Sequence, residues 1–359
     1  MAADHFADRL VARIEATRSL LVVGLDPELR QLPPELLDGV EDLAGAAAAA
    51  ARFCRAVIDG VAGVAPAVKP QSAFFEAFGA AGLHALEEVT AHARAAGLLV
   101  VEDSKRGDIG STMAAYATAA LGRLQIGERE LPVHDSDAVT LSPYLGPESL
   151  QPMLDAADAY GKGLFVLVRT SNPGSARVQG LETPDGRVFE QVAKLIDELG
   201  AERRGACGYS NVGAVAGLTY PDDARVLRAL MPHTFLLVPG LGAQGGAPDD
   251  FPLFVNDDGA RRRRRRLARG RRRLENARGR GRCRSDGRRA DPRRRARRRE
   301  RADRRAARAA RARRPLALVA RAAALARTRR CGAPVAATAP ARASAARSSR
   351  RAGGGPSRS

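Results

Sequence analysis

Leu98-Leu-Val-Val-Glu-Asp-Ser-Lys-Arg-Gly-Asp108 opens on four apolar residues and closes on a dense set of charges. A short continuous apolar run reads as a strand buried on both faces, the kind that a parallel sheet places between layers of helices. Side chains alternate along a strand, so Val101, Asp103 and Lys105 share one face, with Asp108 just beyond. An acid and an amine are thereby aimed together off the C-terminal end of the strand.

Outward from this stretch the same pattern repeats. Apolar runs occur at Leu20–Leu25, Ala65–Lys69, Asp137–Leu141, Gly163–Val168, Val212–Thr219 and Thr234–Val238. Segments of helical character lie between them, at Glu41–Gly60, Phe74–Ala96, Ser111–Leu124, Pro147–Tyr160, Phe189–Gly200 and Asp222–Met231. Phe6, Leu10 and Ile14 recur at helical spacing ahead of the first strand. Seven strand–helix units within about 240 residues predict an α/β fold of the (β/α)8 TIM-barrel kind, which takes ~250 residues. A doubly wound sheet is the alternative, but no glycine-rich dinucleotide turn follows the first strand. In a barrel, reactive groups project from the C-terminal strand ends. Asp26, Lys69, Asp103, Lys105, Asp108, Ser171 and Gln244 all fall there.

The charge divides the chain in two. Residues 1–259 carry 21 Lys+Arg against 35 Asp+Glu, whereas residues 260–359 carry 38 against 5. All four lysines (Lys69, Lys105, Lys162, Lys194) lie in the first part, so the basic residues of the second are all arginine. The expected organisation is a barrel over 1–259, with seven recognisable strands, and an Arg-rich, disordered or out-of-frame tail over 260–359. Cys54, Cys207, Cys283 and Cys331 show no metal-ligand spacing and read as reduced thiols. Charges in the first turns exclude a secretory leader, and no apolar stretch is long enough to span a membrane. A cytoplasmic enzyme with no membrane partner is expected.

A lone Asp-x-Lys is read most simply as an ion pair closing the top of a barrel. A second Asp and a second Lys at neighbouring strand ends favour catalysis, because burying so many charges is costly unless they are paired and used. Asp103-x-Lys105-x-x-Asp108 resembles the signature of the orotidine 5'-phosphate decarboxylase superfamily, which also includes sugar-phosphate decarboxylases and lyases. Further segments are similar to the bacterial long-form decarboxylases and stand in family order. They are Val68-Lys-Pro-Gln-Ser-Ala-Phe-Phe-Glu76, Asp108-Ile-Gly-Ser-Thr-Met113, Ser142-Pro-Tyr-Leu-Gly146, Thr170-Ser-Asn-Pro-Gly174 and Pro239-Gly-Leu-Gly-Ala-Gln-Gly-Gly246.

The resemblance implies decarboxylation of a small-molecule substrate, orotidine 5'-phosphate, to UMP, with no metal or organic cofactor. Lys105 would protonate the pyrimidine carbon as CO2 leaves, beside Asp103. Lys69 would bond Asp103 and the ribose, and Asp26 the ribose hydroxyls. Ser171 would contact the pyrimidine, and Gln244 with Gly245 would close over pyrimidine and phosphate. Asp108 and Thr112 would complete the site of a partner subunit, making the active unit a homodimer. The alternatives are a sugar-phosphate decarboxylase or lyase on the same barrel, or a nucleic-acid-binding protein acting through the tail. The five histidines are assigned to surface or packing roles.

After Gly259 such enzymes continue with one more apolar strand ending in a phosphate-gripping arginine. Here the chain reads Ala260 and then six arginines, Arg261–Arg266, which cannot form a buried strand. Arginine codons of the form CGN, read one base later, become GNC and encode Gly, Ala, Val or Asp. A frameshift near codon 260 of a GC-rich gene is therefore expected. As protein, the tail would bind polyanions nonspecifically, but it lacks RGG repeats, zinc spacing and interleaved aromatics. Without an eighth strand the barrel is expected to stay open, to fold poorly and to be weakly active.

Overall fold

The computed structural model describes residues 4–240 and 252–256. Gln244, Gly245 and the segment 260–359 lie outside the described residues. Seven parallel strands form one sheet: β1 (Val22–Leu25), β2 (Ala67–Pro70), β3 (Leu99–Arg106), β4 (Ala138–Leu141), β5 (Gly163–Arg169), β6 (Val212–Ala216) and β7 (Leu236–Leu237). Each pairs with the strand before it in sequence, so the order is sequential from β1 to β7. A doubly wound sheet would reverse direction part-way, and this one does not.

The sheet is rolled. Val22, Ala67, Leu99, Val101, Ala138, Phe165, Val215 and Leu237, drawn from all seven strands, meet in one apolar cluster, which a flat sheet of seven strands could not achieve. Alternate residues of the same strands face the other way, into helices. Val68 and Val100 pack on α1 (Leu43–Val61) and α2 (Gly79–Ala95). Val139, Val166 and Ala214 pack on residues of α3 (Gly110–Ala120), α4 (Gln151–Tyr160), α5 (Val188–Gly200) and α6 (Pro221–Leu230). The barrel prediction holds, and helix and strand limits fall within a few residues of those read from periodicity. Two segments differ, and the first is the helix expected over Phe74–Ala96, which is two, Ser72–Glu76 and Gly79–Ala95. The helix expected to run to Leu124 stops at Ala120, and Arg123–Ile126 pairs antiparallel with Arg129–Pro132 around Gly127, whose φ is +60°. A positive φ at this turn suits glycine, which has no Cβ to clash.

The N-terminal helix, Phe6–Thr17, seats Phe6, Leu10 and Ile14 against the inner cluster. The Phe6 ring meets Phe165 edge-on with centroids 6.1 Å apart. It lies so close over Gly163 that a Cβ there would fall 2.2 Å from the ring, so the β5 start must be glycine for this plug to fit. Among the described residues, β1 and β7 each have a strand neighbour on one side only.

One charge faces the helices instead of the barrel interior. Glu102, 2 % exposed, accepts from Ser136 Oγ at 3.0 Å and lies 3.1 Å from His134 Nδ1. Burial pushes the Glu102 carboxyl up, but hydrogen bonds from His134 and Ser136 outweigh it and hold it below its ordinary value near 4.5. The hydrogen bond to Glu102 raises His134 above the usual 6.5, against a smaller loss from burial. A lowered acid stabilises the fold above its unfolded pKa and loses that contribution as pH falls through the folded value. A raised imidazole contributes fully below its unfolded pKa and loses it as pH rises. The pair is therefore most stabilising between about pH 4.5 and 6.5. Thermal melts across pH should show the midpoint falling above this window, and His134→Asn should flatten that fall. An unchanged slope in the variant would refute the assignment.

Candidate active site

The residues that alternation turns inward on the first four strands converge at the C-terminal end of the barrel. Lys69 follows Ala67 on β2, Asp103 follows Leu99 and Val101 on β3, and Thr140 follows Ala138 on β4. Asp103 is the hub. Lys69 Nζ donates to its Oδ2 at 2.6 Å, and Lys105 Nζ to its Oδ1 at 2.5 Å. Gln71 Nε2 donates to Oδ2 at 3.1 Å, and Thr140 Oγ1 to Oδ1 at 3.0 Å. Burial alone would raise the Asp103 carboxyl. The Lys69 ammonium and the hydrogen bonds from both lysines overcome that cost and hold it below the usual carboxylate range. Asp103 is thus kept as an anion in a mostly buried position.

The strand is not regular where it carries these groups. Asp103, Ser104 and Lys105 together stand opposite the single residue Thr140, a bulge in the pairing of β3 with β4. Lys105 has φ +49°, the left-handed region that a non-glycine residue seldom adopts. The Lys105 N–H donates to Thr140 Oγ1 at 2.9 Å, so one threonine fixes both the strained backbone and the carboxylate. Strain of this kind persists where the surroundings over-determine it, and it gathers at functional sites. The bulge delivers the Lys105 amine beside Asp103 while leaving the side chain open to solvent.

Asp26 lies just past β1, with its carboxylate folded back over Gly24, where a Cβ would come within 2.7 Å of Oδ2. Although Asp26 has access to solvent, surrounding protein raises its pKa. The Asp103 charge adds to the rise, and Lys69 and Lys105 oppose it. It therefore shares one electrostatic field with the other three groups.

The other expected site residues stand apart. Asp108 accepts from the Ile109 N–H at 2.8 Å, and no bond joins it to the two lysines among the described residues. Thr112 is exposed on α3. Ser171 follows β5, where its carbonyl accepts from Thr219 Oγ1 at 3.3 Å. Gln244 and Gly245 lie outside the described residues. Sequence reading did not single out Gln71 and Thr140. The same alternation that gave Lys69 and Asp103 points to both, but an amide and a hydroxyl carry no charge to draw notice.

Comparison with known proteins points to one family. The model of the Orotidine 5'-phosphate decarboxylase / HUMPS family matches residues 19–260. An orotidine 5'-phosphate decarboxylase of Rhodopirellula baltica is 49% identical over 257 residues, covering 71% of this chain and 84% of the relative. Among solved structures, OMP decarboxylase of Leishmania donovani is 38% identical with a TM-score of 0.52, covering 67% of this chain and 80% of that one. UMP synthase of the same organism is 39% identical with a TM-score of 0.58, over 72% of this chain and 49% of that one. A rolled parallel sheet carrying Asp103 between two ammoniums, in a chain this similar to named decarboxylases, has one placement: it belongs to the orotidine 5'-phosphate decarboxylase / HUMPS family.

Proposed function

We propose that this chain is a carboxy-lyase that decarboxylates orotidine 5'-phosphate to UMP. The observation that carries the reading is Asp103, held ionised between Lys69 and Lys105 at the barrel mouth. A substrate carboxylate seated near Asp103 meets a fixed like charge, and losing CO2 removes that repulsion, although how far such strain speeds reactions is contested. As the bond to the carboxylate carbon breaks, its electron pair stays on the pyrimidine carbon. The Lys105 ammonium stabilises that carbanion, a charge absent from the ground state, and gives it a proton. Solvent at the open end of Lys105 returns the proton. In this reading Lys69 and Asp26 bond the ribose hydroxyls, and Ser171 meets the pyrimidine. Asp108 and Thr112, both apart from the cluster, serve the site of a second copy across a two-fold axis.

The second reading, a sugar-phosphate substrate, is open to members of the same family. It is disfavoured because six curated relatives, 36–49% identical, are orotidine 5'-phosphate decarboxylases. Incubating the chain with orotidine 5'-phosphate and, separately, with a ketose phosphate decides between them. Release of UMP is expected, and turnover of the sugar alone would overturn the assignment.

Residues 260–359 are read as an out-of-frame product. In support, the family match ends at residue 260, where the arginine run begins. Sequencing the gene around codon 260 tests this, and stop codons in the shifted frame would refute it. The frame-restored chain is expected to be the more active form. If the tail has a nucleic-acid role of its own, DNA binding lost on truncation after Gly259 should show sequence preference, and not only a steep dependence on salt.

A further inference from the structure

The opposite, N-terminal end of the sheet holds a second concentration of charge. Asp137 and Lys162 immediately precede β4 and β5, and they line a cavity of about 230 Å³ together with Arg9, Arg94, Arg123 and Asp135. Asp137, almost fully buried, is satisfied by Arg9 Nη1 at 2.5 Å and by the Val100 N–H at 2.9 Å. Asp135 accepts from Lys162 Nζ at 2.8 Å and pairs with Arg94. Its own φ of +52° is a second non-glycine strain, placed where one carboxylate holds two cations. Arg123 makes no ion pair among the described residues, and its guanidinium lies over the Tyr160 ring at 5.7 Å. Four cations thus face two carboxylates, buried Asp137 and half-buried Asp135, with Asp4 at the exposed rim as the one further acid of the lining.

The consequence falls on Lys162, which is 6 % exposed. Burial pushes its amine down to about 8, and Arg94, Arg9 and Arg123 push the same way against Asp137. Burial is the chief cause of that fall, and an anion seated among the three arginines would oppose it by favouring the charged amine. Pinning the N-terminal helix accounts for the Arg9–Asp137 pair. It does not account for Arg123, nor for a lysine buried among arginines.

We propose that this cavity is an oxyanion site for a ligand of the phosphate class, gripped by Arg9, Arg94, Arg123 and Lys162 and separate from the Asp103 site at the other end of the barrel. Arginine forks and a lysine point charge are the usual means of holding such groups. The site lies on the face of the barrel that carries no chemistry, so its ligand acts as an effector and is not turned over.

The absence of lysine from residues 260–359 makes a clean test, because lysine-directed chemistry is blind to the arginine tail. The full chain is reductively methylated at pH 8 with and without inorganic pyrophosphate, and each of the four lysines is followed by peptide mass spectrometry. Pyrophosphate should slow Lys162 several-fold by stabilising its ammonium and should leave exposed Lys194 unchanged. Arg123→Gln, a substitution at an exposed position, should remove most of that protection. Slowing at Lys69 and Lys105 with Lys162 unaffected would overturn the proposal. So would protection of Lys162 that is undiminished in the Arg123 variant.

Discussion

Replacing Lys105 by alanine is expected to lower kcat on orotidine 5'-phosphate by roughly 10⁴-fold or more, since it removes the proton donor and the cation facing the carbanion together. The left-handed backbone at Lys105 strains alanine no more than lysine, so the fold should survive and the melting profile should barely move. Asp103 keeps Lys69, Gln71 and Thr140 as partners. Its pKa should rise with the loss of one ammonium. Deuterium exchange at the pyrimidine C6 of UMP, which needs the same proton transfer without decarboxylation, should stop as well. Retention of activity within about tenfold would remove Lys105 from the chemistry. The same variant tests the shared site. Mixed with an Asp108→Asn chain, it should recover part of the activity through hybrid dimers, whereas no recovery would argue that Asp108 acts within its own subunit.

The second large effect concerns stability. Arg169 ends β5 and is 4 % exposed, with Nε donating to Asp223 Oδ2 at 2.9 Å and Nη1 to Ser175 Oγ at 3.1 Å. Its guanidinium carbon lies 3.7 Å from the centroid of the Tyr220 ring. Breaking a buried pair costs up to about 3–5 kcal/mol, and here it leaves Asp223 with Arg187, at 3.0 Å, as its remaining ion-pair partner among the described residues. Arg169→Ala should therefore lower the melting midpoint by roughly 6–20 °C. Asp223→Asn in the same chain should recover part of the loss, because the half-compensated buried charge is gone, although Arg187 then loses the ion pair it made with Asp223 at 3.0 Å. A single variant melting within about 2 °C of the parent would show that the network contributes little. Arg169 precedes Thr170 and Ser171, so the same change should loosen the loop expected to meet the pyrimidine.

Much of this architecture was legible because parallel strands buried on both faces announce themselves as unbroken apolar runs. Leu98–Val101 and Gly163–Val168 gave strand positions, and alternation then carried Lys69 and Asp103 to the barrel mouth. Lys105 was assigned to the same face by a period of two that the strand does not keep there. Three residues oppose Thr140, and a positive φ restores the amine to the inner side. Nothing in the residue types of Asp103-Ser104-Lys105 signals that bulge, since it depends on pairing with β4. Glu102 and Arg169 were also hidden, because each is buried only by partners far away in sequence. The short hairpin at Arg123–Pro132 is not legible from periodicity, and its first two residues fall in the expected helix, although Gly127 marks the turn. Asp108 and Thr112 stand outside the single-chain cluster, as a role toward a second copy would require.

The sequential strand order has a bearing on synthesis. Every strand of the seven-stranded sheet pairs with the sheet strand translated before it, so a chain still on the ribosome can bury its growing core unit by unit from the N-terminus. The N-terminal plug around Phe6 is made first and waits for Phe165 on the fifth strand. Joining the first strand to the far end of the sheet comes last. An error encoded after residue 259 therefore leaves nascent assembly of seven units untouched and strikes only ring closure. Its product should leave the ribosome with native-like helices and two sticky borders, a natural client for chaperones.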